Sequence, residues 1–211
     1  MTRDHILHRI RTALGRSAGQ AVADPPPVRI RIAEVDREAR VRSFTTRLEA
    51  LAGKVYYVTT DAEARDLVAS AIEGKTAVAS NAPYLRECGI TGIAGVETGI
   101  TGRDELRERC AAAGVGITSA DYALADTGSL VMLSTPREAR LVSLLPPAHI
   151  AVVPVERLLT GLDELMSILP HPGDATSSMV LITGPSRTAD IEQILVRGVH
   201  GPGQITVVLV G

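Results

Sequence analysis

Hydrophobic positions follow two periods along the chain, one typical of amphipathic helices and one typical of strands. Between residues 32 and 51 they recur at helical spacing. The run 54–59 that follows is β-branched and aromatic, which favours a strand. Thr60 and Glu63 then form a capping-box pattern, which predicts the start of another helix. The body of the chain thus opens on an alternation of helices and strands.

This alternation continues to the end of the chain. Further strands are predicted at 75–80, 115–119, 149–153, 179–183 and 204–210, and further helices at 104–113 and after Thr160. Two short apolar runs, 122–125 and 130–134, flank a turn and predict a hairpin. Strands that alternate with helices usually form a mostly parallel sheet covered on both faces. We therefore expect a three-layer α/β sandwich with a mixed, mostly parallel sheet.

The beginning of the chain has a different pattern. Apolar residues from Ile6 to Leu14 fall on one face of a short predicted helix. A run of small residues and prolines at 17–27 follows, and such a composition is typical of an extended linker. We expect an N-terminal helix and linker in residues 1–30 and a single α/β domain in residues 31–211.

Composition and charge narrow the classes of function. The formal net charge of −2 gives no electrostatic reason to bind a polyanion, and aromatic residues make up only 2% of the chain. Cys88 and Cys110 are the two cysteines and neither belongs to a CxxC pair, which argues against a four-cysteine metal site. No apolar run is long enough to cross a bilayer and the N-terminus has no signal-peptide pattern. We expect a cytoplasmic protein without a metal site or a cofactor of its own.

The strongest candidate for a binding site is the bend that follows the predicted strand 179–183. It contains Gly184, Ser186, Arg187 and Thr188, and a helix with Ile191, Ile194 and Leu195 on its inner face is predicted after it. A helix N-terminus favours anions, and an arginine can hold a carboxylate or a phosphate with two hydrogen bonds. In the alternative interpretation Ser186 or Thr188 only caps the helix and Arg187 is a solvated charge.

A second candidate is the hairpin turn Asp126–Ser129. Its four residues match the active-site tetrapeptide of aspartic proteases, but a single copy in an α/β setting argues against that activity. They are also good turn residues, because Gly128 can adopt a positive φ. Ligand binding through the hydroxyl groups of Thr127 and Ser129 and an exposed Gly128 amide remains a separate hypothesis.

Two further residues are candidates on weaker grounds. His200 lies in a predicted turn after the last helix and could act as an acid, a base or a ligand donor, or could simply bond a backbone carbonyl. Asn81 follows the predicted strand 75–80 and could add amide contacts, or could belong to an ordinary turn. Glu97, Asp121 and Glu138 are possible acids, although no spacing pairs them.

Several segments together resemble the lactate-utilization protein C family, whose members contain a LUD domain. The resemblance rests on residues 122–131, 149–153, 182–192 and 199–202, in that order along the chain. It implies a fold shared by ribose-5-phosphate isomerase, glucosamine-6-phosphate deaminase and coenzyme A transferases. It also implies a part in oxidation of L-lactate to pyruvate, together with two partner proteins that carry iron–sulfur clusters.

We therefore expect a non-redox subunit or accessory protein of a lactate-oxidizing system, with a small anionic ligand held in one cavity. This cavity would lie between the bend after strand 179–183 and the hairpin turn Asp126–Ser129, which we call the two bends. Arg187 would hold the anion, and the hydroxyl groups of Thr127 and Ser129 would orient it from the opposite side. His200 would move a proton. Two alternatives remain open at this point. The chain could be a stand-alone isomerase, transferase or ligase that acts on a sugar phosphate or an acyl substrate, or a scaffold without a ligand that recruits cluster-bearing partners.

Overall fold

The computed structural model describes residues 2–21, 34–188 and 196–211. The chain divides into two compact units, residues 1–31 and residues 32–211. The first unit contains α1 (Arg3–Ala13), which begins after Thr2, whose side chain accepts a hydrogen bond from the His5 amide. The predicted helix is present, whereas residues 22–27 of the predicted linker lie outside the described residues.

The second unit is built on strands that follow the predicted pattern. In the described residues the strands are β1 (Lys54–Val58), β2 (Ala77–Ala79), β3 (Val96–Glu97), β4 (Val115–Thr118), β5 (Tyr122–Leu124), β6 (Ser129–Leu133), β7 (Ala148–Pro154), β8 (Leu158–Leu159), β9 (Met179–Ile182), β10 (Arg187–Thr188), β11 (Val196–Arg197) and β12 (Gln204–Val210). Six of them form a parallel central sheet in the order β1-β12-β7-β4-β2-β3. Its inner strands are mostly apolar and almost entirely buried, as expected for a sheet covered on both faces. The predicted fold class is confirmed.

The second unit also contains seven α-helices in its described residues, most of which pack on the central sheet. They are α2 (Arg37–Ala50), α3 (Asp61–Ala71), α4 (Pro83–Glu87), α5 (Arg103–Ala112), α6 (Arg140–Leu144), α7 (Leu162–Ile168) and α8 (Pro172–Ala175). The predicted capping box is present, because the Thr60 hydroxyl accepts from the Glu63 amide and the Glu63 carboxylate accepts from the Thr60 amide. One face of the sheet forms a core with α3 and α4, in which Val68 and Leu85 are fully buried. The other face packs against α2 through Phe44 and Leu48.

The hairpin β5–β6 differs from the expectation of one mixed sheet. It belongs to a separate sheet in the order β8-β5-β6-β9, which packs on the same side of the central sheet as α2. The reason is that both edges of β4 are already paired, with β2 and with β7. The hairpin therefore finds no free edge there and buries Ala123 and Leu130 face-on instead.

The bend after β9 also differs from its prediction. Arg187 and Thr188 form β10, which pairs antiparallel with β11, so Ser186 does not cap a helix. The Ser186 amide donates to the Pro202 carbonyl and the Gly198 amide donates to the Ser186 carbonyl, which holds this segment extended. The predicted inner residues Ile191, Ile194 and Leu195 lie outside the described residues.

Candidate functional site

The two predicted bends come together at the C-terminal end of α2. Gly128 and Gly184 both have positive φ, at 68° and 86°. A Cβ added to Gly128 would lie 2.7 Å from the Leu48 amide nitrogen, and one added to Gly184 would lie 3.0 Å from the Cβ of Leu51. Both glycines are therefore places where the backbone of a bend approaches the same helix end closely.

The hydroxyl groups of the two bends bond to one another. The Ser129 hydroxyl donates to the Thr127 hydroxyl oxygen at 2.8 Å, and the hydroxyl oxygens of Ser129 and Thr183 lie 2.6 Å apart. Ser129 is buried and Thr127 is exposed. The Gly128 amide donates to the Leu124 carbonyl at 2.9 Å. The expectation of an exposed Gly128 amide is therefore wrong, because the tight turn uses this amide internally.

The remaining residues of the bend after β9 have local partners as well. The exposed Arg187 guanidinium donates to the Leu51 carbonyl at the end of α2, and Thr188 is half-buried in β10. The backbone bonds of Ser186 bring the turn that contains His200 beside this bend, and His200 itself is exposed. The sequence-predicted residues of the two bends and of this turn therefore form one neighbourhood.

This neighbourhood lies at the amino edge of the central sheet. The Gly203 amide, next to the first residue of β12, donates to the Pro147 carbonyl, which precedes β7. Ligands of open α/β sheets usually bind at the carboxyl edge. The prediction relied on that rule for the end of β9, but β9 belongs to the second sheet and is antiparallel to β6. The carboxyl end of β9 therefore lies at the amino edge of the central sheet, where the rule does not place ligands.

Asn81 lies apart from both bends. Its side-chain amide donates to the Ile100 carbonyl at 2.9 Å, and its side-chain oxygen accepts from the Gly99 amide at 2.8 Å. Both ends of the side chain thus hold the loop that precedes α5. In this structure Asn81 positions a loop.

The carboxyl edge of the central sheet contains a cleft that the sequence did not reveal. Its volume is about 620 Å³, and it lies beside the residues that follow β2 and β4. The polar residues that line it include Tyr84, Ser119, Asp121, Arg137, Glu138 and Arg157. We call it the carboxyl-edge cleft. Its position agrees with the usual place for ligands in such sheets.

Glu138 is the most deeply buried acid of the carboxyl-edge cleft. Only 6% of its surface is exposed, and its Oε2 accepts a 2.8 Å hydrogen bond from the Ser80 hydroxyl. Its Oε1 has no hydrogen-bond partner among the described residues. Burial raises the pKa of Glu138 to about 8 and the Asp121 charge adds to the increase, whereas the Ser80 hydrogen bond, the Ser119 backbone and the Arg157 charge act in the opposite direction. Glu138 is therefore a largely neutral carboxylic acid near pH 7.

A turn holds Glu138 in this place. The Thr135 hydroxyl oxygen accepts from the amides of Arg137 and Glu138, at 3.2 Å and 3.0 Å. Such a side-chain turn fixes the backbone of a short loop. Asp121, which lines the same cleft, accepts from the Leu133 amide at 2.7 Å, and burial raises its pKa. Both acids are thus fixed by contacts with the backbone or within their loop.

Arg157 supplies a positive charge to the same cleft. Its Nη1 donates to the Ser119 hydroxyl at 3.3 Å and to the Ala120 carbonyl at 3.1 Å. Its guanidinium carbon lies 5.8 Å from the centre of the Tyr84 ring, a distance typical of a cation–π contact. A half-buried guanidinium held in this way can bind a carboxylate or a phosphate, and a neutral carboxylic acid beside it can donate a hydrogen bond or a proton.

Sequence reasoning named Asp121 and Glu138 as possible acids but did not bring them together with Ser80 and Arg157, because these residues come from separate parts of the chain. Ser80 and Glu138 are 58 positions apart, and Arg157 follows yet another strand. The available signal was that Ser80, Ser119 and Arg157 each come shortly after a strand of the parallel sheet, at its carboxyl edge. That rule applies only once the order of the strands is known.

A second cleft, of about 520 Å³, lies at the amino edge and is lined by Lys54, Lys75 and His149. His149 is fully buried there and its Nε2 lies 2.7 Å from the Thr118 hydroxyl. Burial lowers the pKa of His149 to about 4. A neutral histidine bonded in this way is a core residue.

Two absences concern the part of the chain that the structure describes. No group of three or more histidine, cysteine and acidic residues in it could hold a metal ion. No helix in residues 2–21, 34–188 and 196–211 is long and apolar enough to cross a membrane.

A parallel central sheet with a second sheet packed on it and a cleft at its carboxyl edge define a layered α/β domain. Residues 41–210 match the model of the LUD domain. The chain belongs to the LUD domain family.

The curated relatives carry a common name. The chain is 41% identical over 103 residues to lactate utilization protein C of Halalkalibacterium halodurans, which covers 47% of this chain and 45% of that protein. It is 39% identical over 111 residues to lactate utilization protein C of Bacillus subtilis, covering 51% and 46%. With lactate utilization protein C 1 of Bacillus mycoides it shares 32% over 147 residues, covering 64% and 63%. In most of these matches the chain spans about half the length of the relative.

A solved structure shows the same fold. The crystal structure of a DUF162 family protein from Deinococcus radiodurans superposes with a TM-score of 0.65 at 19% sequence identity. The match covers 84% of this chain and 100% of that one. This likeness supports the architecture described above.

Proposed function

We propose that the chain takes part in lactate utilization as a protein without a redox centre of its own, together with iron–sulfur proteins. The names of its relatives support the role. The assignment of the clusters to partners rests on the ligand chemistry of the described residues. Cys88 and Cys110 are buried in different core clusters, and iron–sulfur clusters are held by several cysteines close together.

We place the ligand of this protein, a small carboxylate, in the carboxyl-edge cleft. The observation that carries this assignment is the arrangement of Arg157, which is held by Ser119, Ala120 and the Tyr84 ring and still lines the cleft. A guanidinium with a fixed orientation loses little conformational freedom when it binds a carboxylate. L-lactate and pyruvate are both carboxylates small enough for a cleft of this size.

The neighbourhood of the two bends is the second candidate for the same ligand. It offers the hydroxyl groups of Thr127, Ser129 and Thr183, with Arg187 beside them. In that case Arg187 would release the Leu51 carbonyl to bind the anion, and His200 would be the nearest titratable group of the turn beside it. The bonds that these groups already form with one another make this the less favoured site.

One pair of variants distinguishes the two sites. We expect Arg157→Ala to weaken binding of L-lactate by at least about tenfold in isothermal titration calorimetry, because a charge-assisted pair is worth about 1.5–3 kcal/mol. Arg187→Ala, the matched control at the other edge, should bind as the wild type does. In a strain that lacks the gene, growth on L-lactate should be restored by Arg187→Ala and by the wild type, but not by Arg157→Ala.

The opposite pattern would move the site to the bends. A wild-type protein that binds neither L-lactate nor pyruvate would refute the assignment of a small carboxylate, and full growth of the deletion strain on L-lactate would refute the role itself. Thermal unfolding of each variant controls for loss of the fold.

A further inference from the structure

Glu138, an acid of the carboxyl-edge cleft, has one carboxyl oxygen with a hydrogen-bond partner and one without. The Oε2 of Glu138 accepts from the Ser80 hydroxyl, whereas Oε1 has no partner among the described residues and the side chain is almost completely buried. A buried polar atom without a partner is rare in proteins and costs about 1–3 kcal/mol. Oε1 itself has almost no exposed surface, so a bound molecule becomes its partner only when the Glu138 side chain turns towards the cleft that this residue lines.

The charge state of Glu138 decides what kind of partner that is. An ionised carboxylate needs several donors or a cation, and burial without them is costly. Glu138 has one hydroxyl donor and a weaker interaction with the Ser119 backbone, and none of the ion pairs within 4.0 Å in the described residues includes it. The neutral acid, by contrast, uses its carbonyl oxygen for Ser80 and presents an O–H group at Oε1.

The charged and titratable groups around Glu138 act in both directions. The Asp121 charge opposes ionisation of Glu138 and the Arg157 charge favours it, while burial outweighs both. Groups that line the same cleft from the other elements are Tyr84 and Glu87 of α4 and Arg137 of the Thr135–Glu138 turn. Burial raises the pKa of Tyr84, so its hydroxyl stays protonated through the neutral and weakly alkaline range.

We propose that neutral Glu138 is the hydrogen-bond donor of the carboxyl-edge cleft, and that it donates from Oε1 to an oxygen of the small carboxylate that Arg157 holds by charge. This inference rests on the proposed function and adds the selectivity of the site. The cleft takes anions that offer an oxygen acceptor close to Glu138, and it releases them when Glu138 loses its proton. The ionised Glu138 has no donor at Oε1 and repels the ligand's negative charge.

The pH dependence of binding follows from this arrangement. Arg157 stays charged and a small carboxylic acid stays ionised in the neutral and alkaline range. With a Glu138 pKa of about 8, affinity for L-lactate should fall about tenfold between pH 7 and pH 9. Glu138→Gln keeps an acceptor for Ser80 and an N–H donor for the ligand, and it cannot ionise.

The test measures L-lactate binding at pH 6, 7, 8 and 9 for three proteins. The wild type should show the tenfold loss, Glu138→Gln should bind with the same affinity at all four values, and Glu138→Leu should bind weakly throughout. Glu87→Gln, at the exposed rim of the same cleft, should keep the pH dependence of the wild type, whatever its effect on the affinity itself. Lactamide, which is neutral and similar in shape to lactate, should not bind detectably. The inference is overturned if Glu138→Gln keeps the pH dependence of the wild type, or if the wild type binds equally at pH 7 and pH 9.

A measurement without ligand separates this inference from the proposed function. The ¹³C resonance of the Glu138 side-chain carboxyl should report a protonated group at pH 7. An ionised Glu138 at pH 7, in a protein whose lactate binding still depends on Arg157, would contradict the donor role alone. A protonated Glu138 with affinity unchanged by Arg157→Ala would contradict the proposed site, and with it the ligand that Glu138 is said to contact.

Discussion

The buried Glu138 should make the protein less stable as the pH rises above neutrality. Its pKa is about 8 in the folded protein and 4.5 for the ordinary side chain, so the folded state binds more protons between these values. Stability due to this group is therefore fully present below pH 4.5 and is lost as the pH rises through 8. The integrated loss between pH 6.5 and pH 8.5 is about 2 kcal/mol.

His149 has the opposite effect in a different window. Its pKa of about 4 in the fold lies below the ordinary value of 6.5, so the unfolded chain binds more protons and stability rises with pH between these values. Over pH 4.5–6.5 the contributions of His149 and Glu138 are each about 2 kcal/mol and nearly cancel. Above pH 6.5 the remaining gain from His149 is only about 0.4 kcal/mol. The decline above pH 6.5 is therefore mainly due to Glu138.

Urea unfolding of the wild type and of Glu138→Gln, at half-unit steps from pH 6.5 to pH 8.5, measures this contribution. The free energy of unfolding of the wild type should fall by about 1.5 kcal/mol over the range, and that of Glu138→Gln should rise slightly. Glu87→Gln, which changes an exposed acid of the same cleft, should keep the wild-type slope. Parallel curves for the wild type and Glu138→Gln would refute the buried neutral acid.

Two further predictions concern residues away from the cleft. His149→Leu should lower the free energy of unfolding at pH 7 by about 1–3 kcal/mol, because the buried Thr118 hydroxyl loses its partner. Since the contributions of His149 and Glu138 nearly cancel between pH 4.5 and pH 6.5 in the wild type, the variant should gain about 2 kcal/mol in urea unfolding as the pH falls through this range. A variant whose stability stays as flat as that of the wild type between these values would contradict this account of His149. Gly128→Ala should lower the free energy of unfolding by about 2 kcal/mol or more in thermal unfolding, because it combines a positive φ with a Cβ 2.7 Å from the Leu48 amide nitrogen. The control Gly92→Ala should be tolerated, because a Cβ there has no neighbour within 4 Å. Equal effects of the two substitutions would refute the close approach.

The order of helices and strands could be predicted from the sequence because local periodicity and capping determine it. The strands 54–59, 149–153 and 204–210 were visible as apolar runs, and the capping box at Thr60 marked the start of α3. The second sheet could not be predicted in this way. Its existence depends on which edges of β4 are already occupied, and that is a property of strand order, not of local pattern.

The two bends lie close together, as expected, whereas the ligand cavity expected between them stays a prediction. The proposed site required the bends to meet, and Ser129 and Thr183 do meet through their hydroxyl groups. What the pattern could not show is that Gly128 and Arg187 use their donors on nearby backbone carbonyls. The carboxyl-edge cleft was missed because its residues share no spacing.

The two regions are nevertheless connected, because the β5–β6 hairpin runs from one edge of the domain to the other. At one end its turn packs on α2 through Gly128, and at the other end the Leu133 amide and the Val131 carbonyl bond Asp121 in the carboxyl-edge cleft. Pairing of β6 with β9 fixes the hairpin between these ends. A substitution in the turn can therefore disturb Asp121, and through its charge the ionisation of Glu138, without touching the ligand. The segments that carry the family resemblance can thus be necessary for the cleft as its support, even where their own side chains bind nothing.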